Sequence, residues 1–162
     1  MPKHKDWTWD IYGDGDIDQL KEMIKRKKLD SQLFVLGNVD DIYNRYPEYS
    51  IQVMTSRYEG YPMTILEGLA CGLPIVSFNI PGVNEIVKNN RNGFLIEPYN
   101  ASEMSKKIEF LMNNSDYRKE VSLNNFEDRN KYNLEKARLQ WEEIIKNTIG
   151  SIMPSQSNNR KK

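Results

Sequence analysis

Ser56-Arg57-Tyr58-Glu59-Gly60-Tyr61-Pro62-Met63-Thr64-Ile65-Leu66-Glu67-Gly68-Leu69-Ala70-Cys71-Gly72-Leu73-Pro74-Ile75-Val76 contains the transition that decides the fold. Just ahead of it, Ile51 to Thr55 is a short β-prone run. Pro62 stands where a first helical position should fall, and Met63 to Cys71 continues as a compact helix that Gly72 ends. Leu73 to Phe78 is apolar for most of its length and reads as the next strand. Strand, glycine-containing loop, helix and strand together make one unit of a parallel sheet.

The same alternation extends in both directions. Trp7 to Tyr12 reads as a strand that stops at Gly13, and Asp16 can cap a helix carrying Ile17, Leu20, Met23 and Ile24 on one face. Leu33 to Leu36 is a second strand ending at Gly37, and Asp40 to Tyr46 suggests a short helix stopped by Pro47. Downstream, Phe94 to Ile96 is a fifth strand. Met104, Ile108 and Leu111 mark a helix from about Ser102, and Leu134, Ala137, Trp141, Ile144 and Ile145 mark a long final one. The fold class is therefore α/β, a Rossmann-like parallel sheet with helices on both faces. Its strands are apolar runs, as burial on both faces requires. Residues 1–150 form one expected domain, and the Ser-, Asn-, Gln-, Arg- and Lys-rich stretch 151–162 is an expected disordered tail.

Composition narrows the function. The 162 residues are 38% hydrophobic and 28% charged, which suits a globular chain. The 23 basic and 23 acidic residues cancel, so no net basic field points to nucleic acid as a partner. The single cysteine, Cys71, excludes a disulfide within the chain and reads as a small core residue. With His4 as the only histidine, the two cannot supply a zinc site. No apolar run reaches the ~20 residues that span a bilayer, and Met1 to Asp6 lead into no apolar signal region, so the cytoplasm is the expected location. Gly13-Asp14-Gly15 lacks a third glycine at position 18, where Asp18 stands, so a nicotinamide or flavin site is not expected. Lys25-Arg26-Lys27-Lys28 is read as a complement to a helix C-terminus.

The loop from Thr55 to Pro62 lies at the carboxyl edge of the sheet, where open α/β folds bind ligands. A helix start exposes unpartnered N–H groups and adds positive potential, which together favour a phosphate. Gly60 allows close approach to the main chain, and the useful donors are the amides of Tyr61, Met63, Thr64 and Ile65. Glu59 and Glu67 would be repelled by a diphosphate but suit sugar hydroxyls, since a carboxylate only accepts hydrogen bonds. As isolated surface acids near a helix start they would contribute only ~0.3–1 kcal/mol each. Their setting points instead to a nucleotide diphosphate sugar.

This stretch closely resembles the donor-binding signature of family-four glycosyltransferases, which have the two-domain GT-B architecture. Glu59 and Glu67, with seven residues between them, match the family's pair. Glu-Gly-Tyr-Pro-Met, Leu-Glu-Gly-Leu-Ala-Cys-Gly-Leu-Pro-Ile-Val-Ser and Asn-Gly-Phe-Leu-Ile match its neighbouring wording. The likeness runs from about Trp7 to Ile149 and is strongest from Ser56 to Ile96. It implies that Glu67 holds the nucleotide ribose, that Glu59 is the catalytic-site acid that contacts and orients the donor sugar, and that the amides from Tyr61 to Ile65 meet the diphosphate or sugar. Asn38 and Val39, in Gly37-Asn38-Val39-Asp40, resemble the segment that touches the base. The resemblance further implies retention of anomeric configuration, no metal or other cofactor beyond the sugar donor, and a glycan or lipid-linked acceptor. Surface polysaccharide synthesis, and a peripheral place at the membrane for the complete enzyme, are expectations of the same kind.

Two departures qualify the likeness. The family alternates Ala with Gly at position 68, and Gly68 within a helix costs ~1 kcal/mol relative to Ala. The family's phosphate-gripping arginine and lysine belong to a strand–helix unit ahead of the Trp7 strand, and neither Lys3 nor Lys5 matches their motif. The acceptor-binding N-terminal domain of the family is expected to be missing too. The expected sheet then lacks its central first strand, between the second and fourth, and the isolated chain is expected to be marginally stable, or to fill the gap by rearranging or pairing with another chain. A non-catalytic nucleotide-sugar-binding module is the alternative reading of the same residues.

Overall fold

The computed structural model describes residues 4–132 and 134–152. The chain forms two compact units, Met1–Arg45 and Tyr46–Lys162.

In the first unit, β1 (Trp9–Tyr12) leads to α1 (Ile17–Arg26), β2 (Leu33–Gly37) and the short α2 (Ile42–Arg45). β1 and β2 pair in parallel, with Trp9 opposite Leu33 and Ile11 opposite Val35. Asp16 caps α1 as its sequence position suggests, its side chain accepting from the Gln19 amide at 3.1 Å. Lys25 and Arg26 lie in the last turn of α1, where they complement the helix dipole. α1 packs against β2. The expectation that every strand is buried on both faces fails at β2. Phe34 and Leu36, on the face opposite Leu33 and Val35, are 40% and 42% exposed.

In the second unit a 3-10 turn (Tyr46–Glu48) precedes β3 (Gln52–Met54), α3 (Met63–Ala70), β4 (Ile75–Phe78), α4 (Val83–Ile86) and β5 (Gly93–Ile96). α5 (Ala101–Asn113), α6 (Ser115–Asp128), a second 3-10 turn (Arg129–Tyr132) and α7 (Leu134–Ile152) follow. The strands run parallel in the order β3-β4-β5. All four residues of β4 are buried, so both of its faces are covered. Ile65 and Leu69 of α3, Val83 and Ile86 of α4, and Leu111 of α5 join Ile75, Val76 and Ile96 in the core. Among the described residues no ladder joins β1–β2 to β3–β4–β5.

Three features of this unit depart from the sequence reading. α6 follows α5 after a single residue, Asn114, and was not visible as a helix because its buried side is partly polar: Asn125 and Asp128 face inward beside Val121. α7 runs through Ser151 and Ile152, two residues into the stretch expected to be a disordered tail; 153–162 lie outside the described residues. Trp141, Ile144 and Ile145, expected as a packing face, are 64%, 54% and 51% exposed.

The polar side of α6 is held by specific bonds. Asn125 donates to the Leu73 carbonyl at 2.6 Å, which ties α6 to the chain just after α3. Asp128, its side chain 6% exposed, receives both Arg91 Nε at 2.9 Å and Nη2 at 2.8 Å, and Lys131 Nζ at 2.6 Å. The Arg91 guanidinium, with Lys131, holds the Asp128 carboxyl down at about 2, below its ordinary 3.8. A carboxyl lowered on folding stabilises above its unfolded pKa and loses that stabilisation as pH falls towards the folded one. Asp128→Asn is therefore expected to remove about 2 kcal/mol at pH 7. The difference from the natural chain should shrink as pH drops from 4 towards 2. Denaturant unfolding across that range checks both the size and the direction.

Candidate functional site

The chain leaves β3 at Met54, passes through residues 55–62 and enters α3 at Met63. Pro62 is the N-cap, with φ −76° and ψ 87°, and not the first helical residue expected of it. Its ring fixes φ for either position, and its carbonyl already accepts the first helical bonds: from the Ile65 amide at 3.1 Å and the Leu66 amide at 3.4 Å. The expected donor set is thereby corrected. Ile65 is fully buried and its N–H is spent on Pro62. Among the described residues the amides of Tyr61, Met63 and Thr64 have no protein acceptor, and Tyr61 and Met63 are 57% and 53% exposed. The first turn of α3 carries no acid that would oppose an anion there.

α3 ends as its sequence suggests. Gly72, at φ 80°, donates to the Leu69 carbonyl at 2.9 Å while Leu73 donates to Gly68 at 2.9 Å, a Schellman pair. Gly68 is explained by packing. A Cβ there would meet the Gln52 Oε1 at 1.8 Å, and Gln52 is fixed across the helix by donating to the Thr64 carbonyl at 2.8 Å.

Glu67 is half-buried, four residues after Met63 and three after Thr64, hence on the same helix face as the start of α3. Its Oε2 accepts from the Tyr46 hydroxyl at 2.9 Å. Glu59 is half-buried in the loop, and Gly60 is exposed with nothing within 4 Å of the position a Cβ would take. The loop after β4 closes on this segment: a Cβ at Gly82 would meet the Gly60 carbonyl oxygen at 2.8 Å and the Glu59 carbonyl oxygen at 2.9 Å. The loop after β5 reaches the same edge, where the Arg57 guanidinium lies 5.9 Å from the Tyr99 ring centre and Tyr99 lies 6.0 Å from Phe78. Sequence reading missed Tyr46, Gln52, Arg57 and Tyr99. Only Arg57 lay within the informative stretch, and nothing in its local spacing marked it.

Asn38 and Val39 belong to the first unit. Asn38 is exposed and donates to Asp14 Oδ2 at 2.6 Å, linking the loops after β2 and β1; Val39 is half-buried. The Asn92-Gly93 wording proves structural. Buried Asn92 accepts from the Lys88 amide at 2.7 Å and donates to the Ile86 carbonyl at 3.0 Å, and a Cβ at Gly93 would meet the Ile75 carbonyl oxygen at 2.0 Å. Cys71 is half-buried and not in the core. Burial, and then the Glu67 charge, push its thiol up, away from the reactive thiolate. Among the described residues no three His, Cys, Asp or Glu side chains gather as a metal site, and no helix is long and apolar enough to cross a membrane.

A parallel α/β sheet, a proline-capped helix start with open amides and a carboxylate on the same helix face define the class: the C-terminal domain of the GT-B fold. The chain belongs to the group 1 glycosyl transferases, whose family model matches residues 1–128. A glycosyltransferase of Haemophilus influenzae whose own substrate is not named is 33% identical over 145 residues, 88% of this chain and 41% of that protein. The poly(ribitol-phosphate) alpha-N-acetylglucosaminyltransferase of Staphylococcus aureus is 34% identical over 106 residues, 64% of this chain and 22% of that protein. A solved S. aureus TarM variant, in complex with fondaparinux, alpha-GlcNAc-glycerol and UDP, superposes with a TM-score of 0.79 at 30% identity, over 84% of this chain and 28% of its own. The chain thus spans well under half the length of these relatives.

Proposed function

We propose that this chain binds a nucleotide diphosphate sugar, and that the protein it represents transfers the sugar, with retention, to a glycan or lipid-linked acceptor in surface polymer synthesis. The observation that carries the proposal is the open start of α3: the amides of Tyr61, Met63 and Thr64 lack protein acceptors, and Glu67 lies on the same helix face. A diphosphate would complete those amides, and Glu67 would take the ribose hydroxyls. Among the described residues nothing lies within 4 Å of a Cβ placed at Gly60, which suits a position kept bare for a ligand. Glu59 would orient the donor sugar beside it. As the acceptor hydroxyl attacks, charge builds on the leaving diphosphate, and the helix start would stabilise it. The base is taken as uracil because the TarM variant holds UDP.

The chain spans 41% of its H. influenzae relative, so a second reading is binding without transfer by this chain alone. Turnover of a UDP-sugar by the purified chain would reject that second reading. The binding proposal itself is tested by titrating the chain with UDP and with uridine. UDP is expected to bind at least about tenfold tighter, the contribution of one or two charge-assisted bonds. Equal affinity for the two would remove the diphosphate from α3.

A further inference from the structure

Tyr46 is 5% exposed, and a phenol that deeply placed needs a partner for its hydroxyl. Two acceptors lie within reach, Glu67 Oε2 at 2.9 Å and the Thr64 carbonyl at 3.4 Å. One hydroxyl carries one proton, and the shorter contact is also the charge-assisted one. We propose that Tyr46 is a positioning residue for nucleotide binding, holding the Glu67 carboxylate in the rotamer that receives the ribose hydroxyls. This inference rests on the ribose role proposed above for Glu67.

The physical reason is pre-organisation. A glutamate on a helix surface has three rotatable bonds, and a ligand that must order them binds more weakly than one that finds them ordered. A bond from Tyr46 takes one of the roughly four acceptor sites of a carboxylate, so capacity for a ribose diol remains. Tyr46 is itself set in place from outside α3, at the head of the 3-10 turn Tyr46–Glu48. The same hydroxyl also lies near the Thr64 carbonyl, which Gln52 holds at 2.8 Å from β3. Tyr46 and Gln52 thus reach, from two different elements, the turn that carries both Glu67 and the open Thr64 amide. Gly68 permits this, because a side chain there would displace Gln52.

Calorimetric titration of the full chain with UDP and with 2′,3′-dideoxy-UDP tests the proposal. Tyr46→Phe keeps the ring and removes only the hydroxyl. It is expected to weaken UDP binding about two- to tenfold, the range for ordering one flexible side chain, and to leave the dideoxy analogue unchanged. In a Glu67→Ala background the same substitution should have no further effect on UDP. A merely structural role would weaken both nucleotides alike and would persist without Glu67, and either result would overturn the proposal. If Glu67→Ala weakens UDP binding but Tyr46→Phe does not, Tyr46 alone loses its role. If the natural chain does not prefer UDP over the dideoxy analogue, the ribose role of Glu67 falls and takes this inference with it.

Discussion

Glu67→Ala is expected to lower the affinity for UDP by about 10- to 100-fold, the equivalent of one hydrogen bond to a charged group. The carboxylate is the one acid on the same helix face as the open start of α3, and its charge-assisted bonds to a ribose diol are of the strong kind. Alanine removes both acceptor oxygens without changing the helix, since alanine is the best helix former. The Tyr46 hydroxyl loses its 2.9 Å partner but retains the Thr64 carbonyl at 3.4 Å. The change in stability should therefore stay within about 1–3 kcal/mol, the range for one hydrogen bond to a charged group. Glu67→Gln, which keeps the volume and one acceptor, should fall between alanine and the natural residue. Calorimetry with UDP, paired with thermal unfolding of each variant, separates lost contact from lost fold. Unchanged affinity in both variants would place the ribose elsewhere.

How far the site could be read in advance follows from how local its causes are. α3, its glycine stop and the two acids lie in one stretch, and each rests on chemistry within a few residues: a proline before the helix, a left-handed Gly72 after it, carboxylates at fixed offsets. The error there was also local. Pro62 fits the cap as well as the first turn, and only the backbone tells which, yet the difference decides whether Ile65 can donate to a ligand. What escaped was long-range side-chain pairing. Tyr46 meets Glu67 across 21 positions, Arg91 meets Asp128 across 37, and Asn125 meets Leu73 across 52. Periodicity reports which face is apolar, so a helix such as α6, whose inward face includes Asn125 and Asp128, looks like a solvated segment until its partners are seen. The exposed Phe34 and Leu36 teach the converse. An apolar run indicates strand propensity, but whether both faces are covered depends on elements elsewhere.

Gly82→Ala should be the most damaging single methyl in the site. Gly82 sits at φ 82° and ψ −47°, a conformation that L side chains rarely adopt, and imposing such strain costs on the order of 1–3 kcal/mol. The new Cβ would also fall 2.8 Å from the Gly60 carbonyl oxygen and 2.9 Å from that of Glu59. These are backbone atoms and cannot swing aside as a side-chain tip can, so overpacking adds roughly 1–3 kcal/mol more. Buried Val83 and Ile86 immediately downstream pin the Gly82 side of the contact. The softer side is the exposed Gly60 segment, which should be driven outward and carry Glu59 and the Tyr61 amide with it. The expected result is a melting temperature lower by roughly 10 °C, at about 2–4 °C per kcal/mol for a chain of this size. At a temperature where the variant is still folded, UDP affinity should fall as well. Thermal unfolding and UDP titration of the same sample check the two effects together. A variant that melts normally would mean the two loops do not touch as described. One that melts early but binds UDP with full affinity, once folded, would separate Gly60 and Tyr61 from the ligand.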